Sequence, residues 1–331
     1  MNCSISIAFQ TDKPLAQYGP LAAAAEALGF EGITVYNDMM YQPAWLPLLE
    51  IARNTSTARI GVAAVNPFTC HPINIAGNMA LISEAAPGRS CLGLARGGWL
   101  DYVGVYPKRV VQSLHEAFVC IQHLLDGDTN PLTQEIFPLA GGDKLRWTLP
   151  GSDVALLLGS WGLKTIAACH TQVDEIKLGG SANPGVVHHY KQYLHDIGAE
   201  RVPGIVMGAV TVVDEDRAAA LALARREVAL YLPVVAALDP TIHIDPQRLS
   251  GINDAAARYD FDSAARFIND DMLAAFAIAG TPADIIDQTE ALFSAGASRV
   301  EYGTPHGLST DSGLALLGSK VLPALRASGG R

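Results

Sequence analysis

Short apolar or β-branched runs alternate with longer amphipathic stretches along almost the whole chain. The runs at Ile5–Phe9, Gly32–Tyr36, Arg59–Val65, Ser90–Ala95, Val154–Leu158, Glu175–Leu178, Ile205–Val213 and Arg299–Tyr302 read as buried strands. Between them, helical periodicity covers Leu15–Leu28, Ala44–Asn54, Ile73–Ala85, Arg109–Leu125, Leu163–His170, Pro184–Ile197 and Glu215–Leu230, with another stretch at Gly313–Ala327. Strands that each feed a helix, repeated to this count, predict an α/β closed parallel (β/α)8 TIM barrel rather than an open doubly wound sheet.

Local chemistry supports several boundaries. Gly29 ends the first helix as a left-handed C-cap, and Gly296 closes the helix before the last strand. Thr281-Pro282 reads as an N-cap followed by a first-turn proline. Two stretches break the rhythm. Residues 126–150, rich in Gly and Pro, form an insertion after helix four, and residues 232–279, mostly helical in pattern, lie between strands seven and eight. Neither has linker composition, so the expectation is one barrel domain over residues 1–331 with two insertions. Tyr231–Val235 is read as core or subunit interface ahead of a pocket cover.

Composition narrows the function. Hydrophobic residues make up 49% and charged ones 17%, the balance of a core-rich globular protein. The formal charge of −10 argues against nucleic acid and anionic membranes as partners. Cys3, Cys70, Cys91, Cys120 and Cys169 are odd in number and lack metal-type spacing, which fits reduced thiols. No signal peptide precedes the first strand, and no apolar run has membrane length. A cytoplasmic protein without a metal centre is expected.

In a barrel of this kind, reactive groups collect at the carboxyl ends of the strands. Three successive ends are glycine-rich: Ala95-Arg96-Gly97-Gly98, Leu158-Gly159-Ser160-Trp161-Gly162 and Leu178-Gly179-Gly180-Ser181. Glycines let backbone approach a planar or phosphorylated ligand, and Arg96 adds a guanidinium suited to phosphate. Asp38, after strand two, is a candidate acid or base, or else a solvated loop or capping residue. His71 either donates to substrate or caps the next helix, and His306 on the last loop has the same status. His188 and His189 point to different helix faces, so they do not share a metal. Neither HExxH nor GxSxG is present.

The stretches Ile60–Pro72 (IGVAAVNPFTCHP), Ala86–Gly98 (APGRSCLGLARGG), Val154–Ala168 (VALLLGSWGLKTIAA) and Gly280–Pro305 carry a family likeness, and Ala25–Asp38 fits the same pattern. The chain resembles the bacterial luciferase-like superfamily, in particular its methylenetetrahydromethanopterin reductase branch and related deazaflavin enzymes. That resemblance implies a luciferase-like barrel with an insertion near strand seven, which pairs into homodimers. It further implies coenzyme F420 in the barrel mouth, with flavin mononucleotide as the alternative.

By position, a non-proline cis peptide at Ala64–Val65 would prop the ring, with Asn37 and Asn66 beside it. Arg96, Gly97 and Gly98 would meet the phosphate or ribityl side. Gly159, Ser160, Trp161, Gly179 and Gly180 would line the tail. The chain also departs from its relatives. Ala8 stands where the reductase has a strand-one glutamate, and Asn37-Asp38 replaces a common Asp-His. A methanopterin substrate is therefore not inferred. The resulting expectation is F420-dependent hydride transfer on a small organic substrate, with Asp38 and then His71 as proton-handling groups. A flavin monooxygenase is the first alternative and a non-catalytic binding barrel the second.

Overall fold

The computed structural model describes residues 4–147, 149 and 153–329, so Cys3 lies outside them. Nine parallel strands form one sheet: β1 (Ser4–Phe9), β2 (Gly32–Val35), β3 (Arg59–Val65), β4 (Ser90–Ala95), β5 (Ala155–Gly159), β6 (Glu175–Gly179), β7 (Gly204–Val213), β8 (Ala277–Gly280) and β9 (Arg299–Gly307). The strands β1 to β7 pair in chain order. β7 then pairs with β9 and β9 with β1, which closes a ring. This is the (β/α)8 barrel expected from the alternating pattern, and the predicted strands fall within one or two residues of those observed at most ends.

β8 is the departure. β7 pairs with β6 from Gly204 to Gly208, and its upper half, Val210–Val213, pairs with Ala277–Gly280. These four residues complete the stretch expected to be helical, whose remainder folds as α8 (Leu232–Ala236), α9 (Pro246–Ala256), α10 (Phe261–Ala265) and α11 (Asp270–Phe276). A four-residue Ala/Ile strand directly after a helix is too short to register as periodicity.

The outer helices are α1 (Tyr18–Leu28), α2 (Trp45–Asn54), α3 (Pro72–Ala85), α4 (Val110–Leu125), α5 (Leu163–Cys169), α6 (Pro184–Asp196), α7 (Arg217–Val228), α12 (Pro282–Ser294), α13 (Thr310–Leu316) and α14 (Leu322–Gly329). Their caps follow the residue chemistry. Gly29, at φ 98°, donates its N–H to Ala25 and Glu26 carbonyls. Thr281 and Asp284 form a reciprocal capping box with Pro282 in the first turn of α12. Strand side chains that face outward pack with these helices into one continuous apolar shell that includes Ile7, Phe9, Ile33, Ile60, Leu92, Leu158, Ile176 and Met207. The insertion after α4 is tied back to that helix, where the Glu116 carboxylate accepts the Ile136 and Phe137 N–H groups at 2.7 and 3.3 Å. Among the described residues, no helix is long and apolar enough to cross a membrane.

Candidate active site in the barrel mouth

The inward positions near the carboxyl ends of the strands are small: Ala63, Ala95, Gly159, Gly179, Gly208 and Gly303 all border one cavity of about 330 Å³. Small residues at this level leave the upper barrel hollow, whereas bulky side chains would fill it. Leu157 and Ala64 add to the apolar floor. A Cβ added at Gly179 would meet no atom within 4 Å, whereas one at Gly159 would press on Ala95 Cβ at 3.3 Å, with Leu94 O and Ala64 Cβ at 3.7 and 3.9 Å. The alanine and glycine positions thus offer an apolar surface to a ligand.

Below the cavity the barrel interior is ionic. Glu175 receives a two-pronged interaction from Arg299, at 2.6 and 3.1 Å, and another from Arg59, at 3.2 Å on each oxygen. Arg299 also donates to Ser6 Oγ at 2.9 Å and to Glu301 at 3.2 Å. Glu301 accepts from Thr34 Oγ1 at 2.5 Å and from the Lys177 ammonium. Burial works against the Glu301 charge, yet Lys177 and Arg299 hold its carboxyl below the usual range. Lys177 ends this chain at the cavity floor, with Nζ 5.2 Å from the centroid of the Tyr36 ring. Burial, and then the Glu301 charge, raise the Tyr36 phenol well above its ordinary value, so it stays protonated.

The mouth carries acids and aromatic walls. Asp38 lines it and accepts from Gln10 Nε2 at 2.8 Å. Glu227, from α7, and Tyr231 stand nearby on the cavity wall. Burial raises the Glu227 carboxyl and pushes the Tyr231 phenol up to about 12, with the Asp38 charge adding to the latter. Trp161 is pinned as a wall because its Nε1 donates to Gly179 O at 3.2 Å and its carbonyl accepts from Tyr190 Oη at 2.5 Å. At Gly180, φ is 82° and an added Cβ would lie 2.7 Å from Val235 Cγ2. Glycine there lets α8 close down on the cavity edge.

Of the residues singled out in the sequence, Asp38, Ala64, Gly159, Ser160, Trp161, Gly179 and Gly180 meet around this cavity. The others lie outside its lining. Asn37 Oδ1 accepts the Ala44 N–H at 3.1 Å at the start of α2. Val65 is buried in the shell around the barrel. Asn66 Oδ1 accepts from the Phe68 and Thr69 N–H groups and from Thr69 Oγ1, so it folds its own loop. Gly97 packs beside the Asn66 amide at φ 83°, while Arg96 and Gly98 are exposed on the rim.

His71 Nδ1 accepts the Ile73 N–H at 3.2 Å as the N-cap of α3, which is the capping alternative left open for it. His306 is fully buried and its Nε2 lies 3.0 Å from Ala8 O. The non-proline cis bond is one residue earlier than expected: it joins Ala63 to Ala64, not Ala64 to Val65, and it lies where the β3–β4 register shifts. Both residues of this bond line the cavity, which Val65 does not.

The sequence reading missed Lys177, Tyr36 and Glu227, and it ranked Tyr231–Val235 as core or interface ahead of a pocket cover, whereas Tyr231 lines the cavity. A signal was present for the first. Glu175-Ile-Lys177 and Arg299-Val-Glu301 place charges at alternate positions of otherwise apolar strands, hence on one face.

Comparison with known proteins agrees with this architecture. The sequence model of the luciferase-like monooxygenase family matches residues 3–299. The chain is 27% identical to the 5,10-methylenetetrahydromethanopterin reductase of Archaeoglobus fulgidus over 319 residues, covering 91% of this chain and 93% of that one. Among solved structures, the coenzyme F420-dependent tetrahydromethanopterin reductase of Methanopyrus kandleri superposes with a TM-score of 0.88 at 22% identity, over 98% of this chain and 100% of that one. An F420-dependent secondary alcohol dehydrogenase in complex with an F420-acetone adduct superposes at 0.79 with 17% identity, over 98% of this chain and 100% of that one. At these identities the two structures speak for the fold. With nine-tenths of its length matched, the chain belongs to the luciferase-like monooxygenase family of enzymes.

Proposed function

We propose that the protein is an oxidoreductase that seats a coenzyme F420 deazaflavin ring in the barrel mouth and transfers a hydride between it and a small organic substrate. The cavity floor of alanine and glycine carries this reading. At about 330 Å³ the space is near the lower bound of ligand pockets and suits a ring system rather than a whole cofactor. The open space at Gly179, where an added Cβ would meet nothing within 4 Å, supports the fit of such a ring. The phosphorylated tail then leaves over the rim toward Arg96, Gly97 and Gly98, where a guanidinium and backbone N–H groups suit a phosphate. The F420-dependent reductase and dehydrogenase named above support the choice of cofactor.

When bound, the deazaflavin supplies two-electron hydride chemistry at a ring carbon. The chain supplies the rest. Ala63, Ala64, Ala95 and Leu157 exclude water beneath the ring, and Trp161 and Tyr231 wall the substrate side. Asp38 handles the proton. The Gln10 amide directs its carboxylate as an acceptor at the mouth, so it removes a proton from a substrate hydroxyl or amine as hydride leaves, and returns it in the reverse direction. Ala8 is fully buried and its carbonyl is engaged by His306, so strand one offers no acid. Asp38 therefore takes the proton role for whichever small organic molecule is the substrate.

The family match itself favours a second reading, a monooxygenase that uses flavin mononucleotide. Titration of the protein with each cofactor, followed by fluorescence, separates the two. Saturable binding of F420, weakened in Gly179→Leu, supports the first reading. Binding of flavin mononucleotide with none of F420 replaces it with the second.

A further inference from the structure

The charge ladder inside the barrel ends at the cavity, and its balance is uneven. Arg59, Glu175, Arg299, Glu301 and Lys177 are linked in series, so three cations face two anions and one positive charge is left over. Glu301 divides its carboxylate between Arg299 and Lys177, with a third bond from Thr34. Lys177 shares its partner with Arg299, and among the described residues it is the cavity's one cationic lining group. An ammonium has three donors. Within the described residues, the hydrogen bond Lys177 makes goes to Glu301.

The surroundings are fitted to this lysine. A Cβ at Gly208 would lie 2.9 Å from Lys177 Cε, so a larger residue there would displace the lysine from this path across the barrel. The Tyr36 ring carries its charge from the other side. A Cβ at Gly303 would stand 2.8 Å from Tyr36 Oη, so glycine again leaves room. The same lining also carries two acids, Asp38 and Glu227.

We propose that Lys177, placed by Glu301 and Tyr36, is a cation site for the bound cofactor, holding the negatively charged edge of the ring at the cavity floor. This inference rests on the F420 reading above and assigns the ring's orientation, anionic edge inward, which that reading leaves open. A cation in a water-poor site favours the ionised form of the ring hydroxyl over the neutral one, so the hydroxyl edge is the one that points inward.

The test is a spectrophotometric titration of the full-length protein with oxidised F420 between about pH 5.5 and 8.5, which reads both the dissociation constant and the ionisation of the bound ring. Wild type is expected to lower the ring's apparent pKa relative to free cofactor by about one unit, equal to tenfold preference for the anion. Lys177→Met should abolish that shift and weaken binding about tenfold at the alkaline end, while Lys177→Arg keeps most of it. Because Lys177→Met strands the Glu301 carboxylate, Lys177→Met combined with Glu301→Gln serves as the folded control, checked by its melting curve. If that double variant binds F420 with the wild-type affinity and ring pKa, the inference is overturned while the cofactor reading stands. If wild type binds no F420 at any pH, both fall together.

Discussion

The two halves of the barrel interior are made of opposite materials. The lower half is filled by arginine, glutamate and lysine in register across β3, β6 and β9, each charge partnered by the next. The upper half is lined by glycine and alanine at the matching inward positions, with almost nothing inside. Alternation along a parallel strand explains how one element serves both: in β6, Glu175 and Lys177 precede Gly179 on the same face. The lower half costs desolvation and recovers it through paired geometry. The upper half forgoes packing so that a ligand can supply it. Stability and binding are therefore written on the same strands, a few residues apart.

Breaking the lower half should have the largest effect. Arg299→Met removes the shared partner of two buried carboxylates, and the unfolding free energy in urea should fall by about 3–5 kcal/mol. A loss below about 1 kcal/mol would mean the ladder is not a stability element. Filling the upper half should do the reverse. Gly179→Leu, placed where an added Cβ meets nothing, should weaken F420 binding about a hundredfold, close to 3 kcal/mol, with unfolding nearly unchanged. Equal damage to both quantities would erase the distinction between the halves.

His306, fully buried on β9 beside Ala8, sharpens the contrast through pH. Burial lowers its pKa to about 4, against 6.5 in a free imidazole. Below pH 6.5 the unfolded chain binds the proton and the folded one does not, so stability falls as pH drops from 6.5 toward 4. Between pH 7 and 4.5 the loss is about 2 kcal/mol. His306→Asn, a residue that tolerates the φ of 78° found here, should flatten that part of the profile. The smallest effect belongs to the rim. Arg96→Ala should leave stability within about 0.5 kcal/mol and reduce F420 affinity about threefold to fivefold, with the difference shrinking at high salt.

These regions also differed in how far they could be read in advance. The barrel was legible because apolar runs and helical stretches alternate without ambiguity, and because capping residues such as Thr281 and Gly29 act within a few positions of themselves. Trp161, Gly159 and Gly179, expected along the cofactor's tail, border the cavity because strand ends face the mouth in any such barrel. Lys177 was not legible, since its partner Glu301 lies 124 residues away and nothing local says that two strands will bring them together. Asn66 and His71 look like site residues by type and position, but the structure engages their acceptor atoms in their own loop and helix. The cis bond was off by one residue because a bulge in β3 shifts the register that position alone would count.

One joint in the fold bears on how such an enzyme changes. The excursion after β7 leaves at Asp214 and comes back at Gly280, and the Asp214 N–H donates to the Gly280 carbonyl at 3.1 Å. A segment whose two ends touch spans no distance, so its length and sequence are free of the ring's closure. This excursion carries Glu227, Tyr231 and Val235 to the cavity edge. One wall of the cavity thus rides on a segment that starts and ends at a single point of the ring, while its buried side chains pack on β7 and β8.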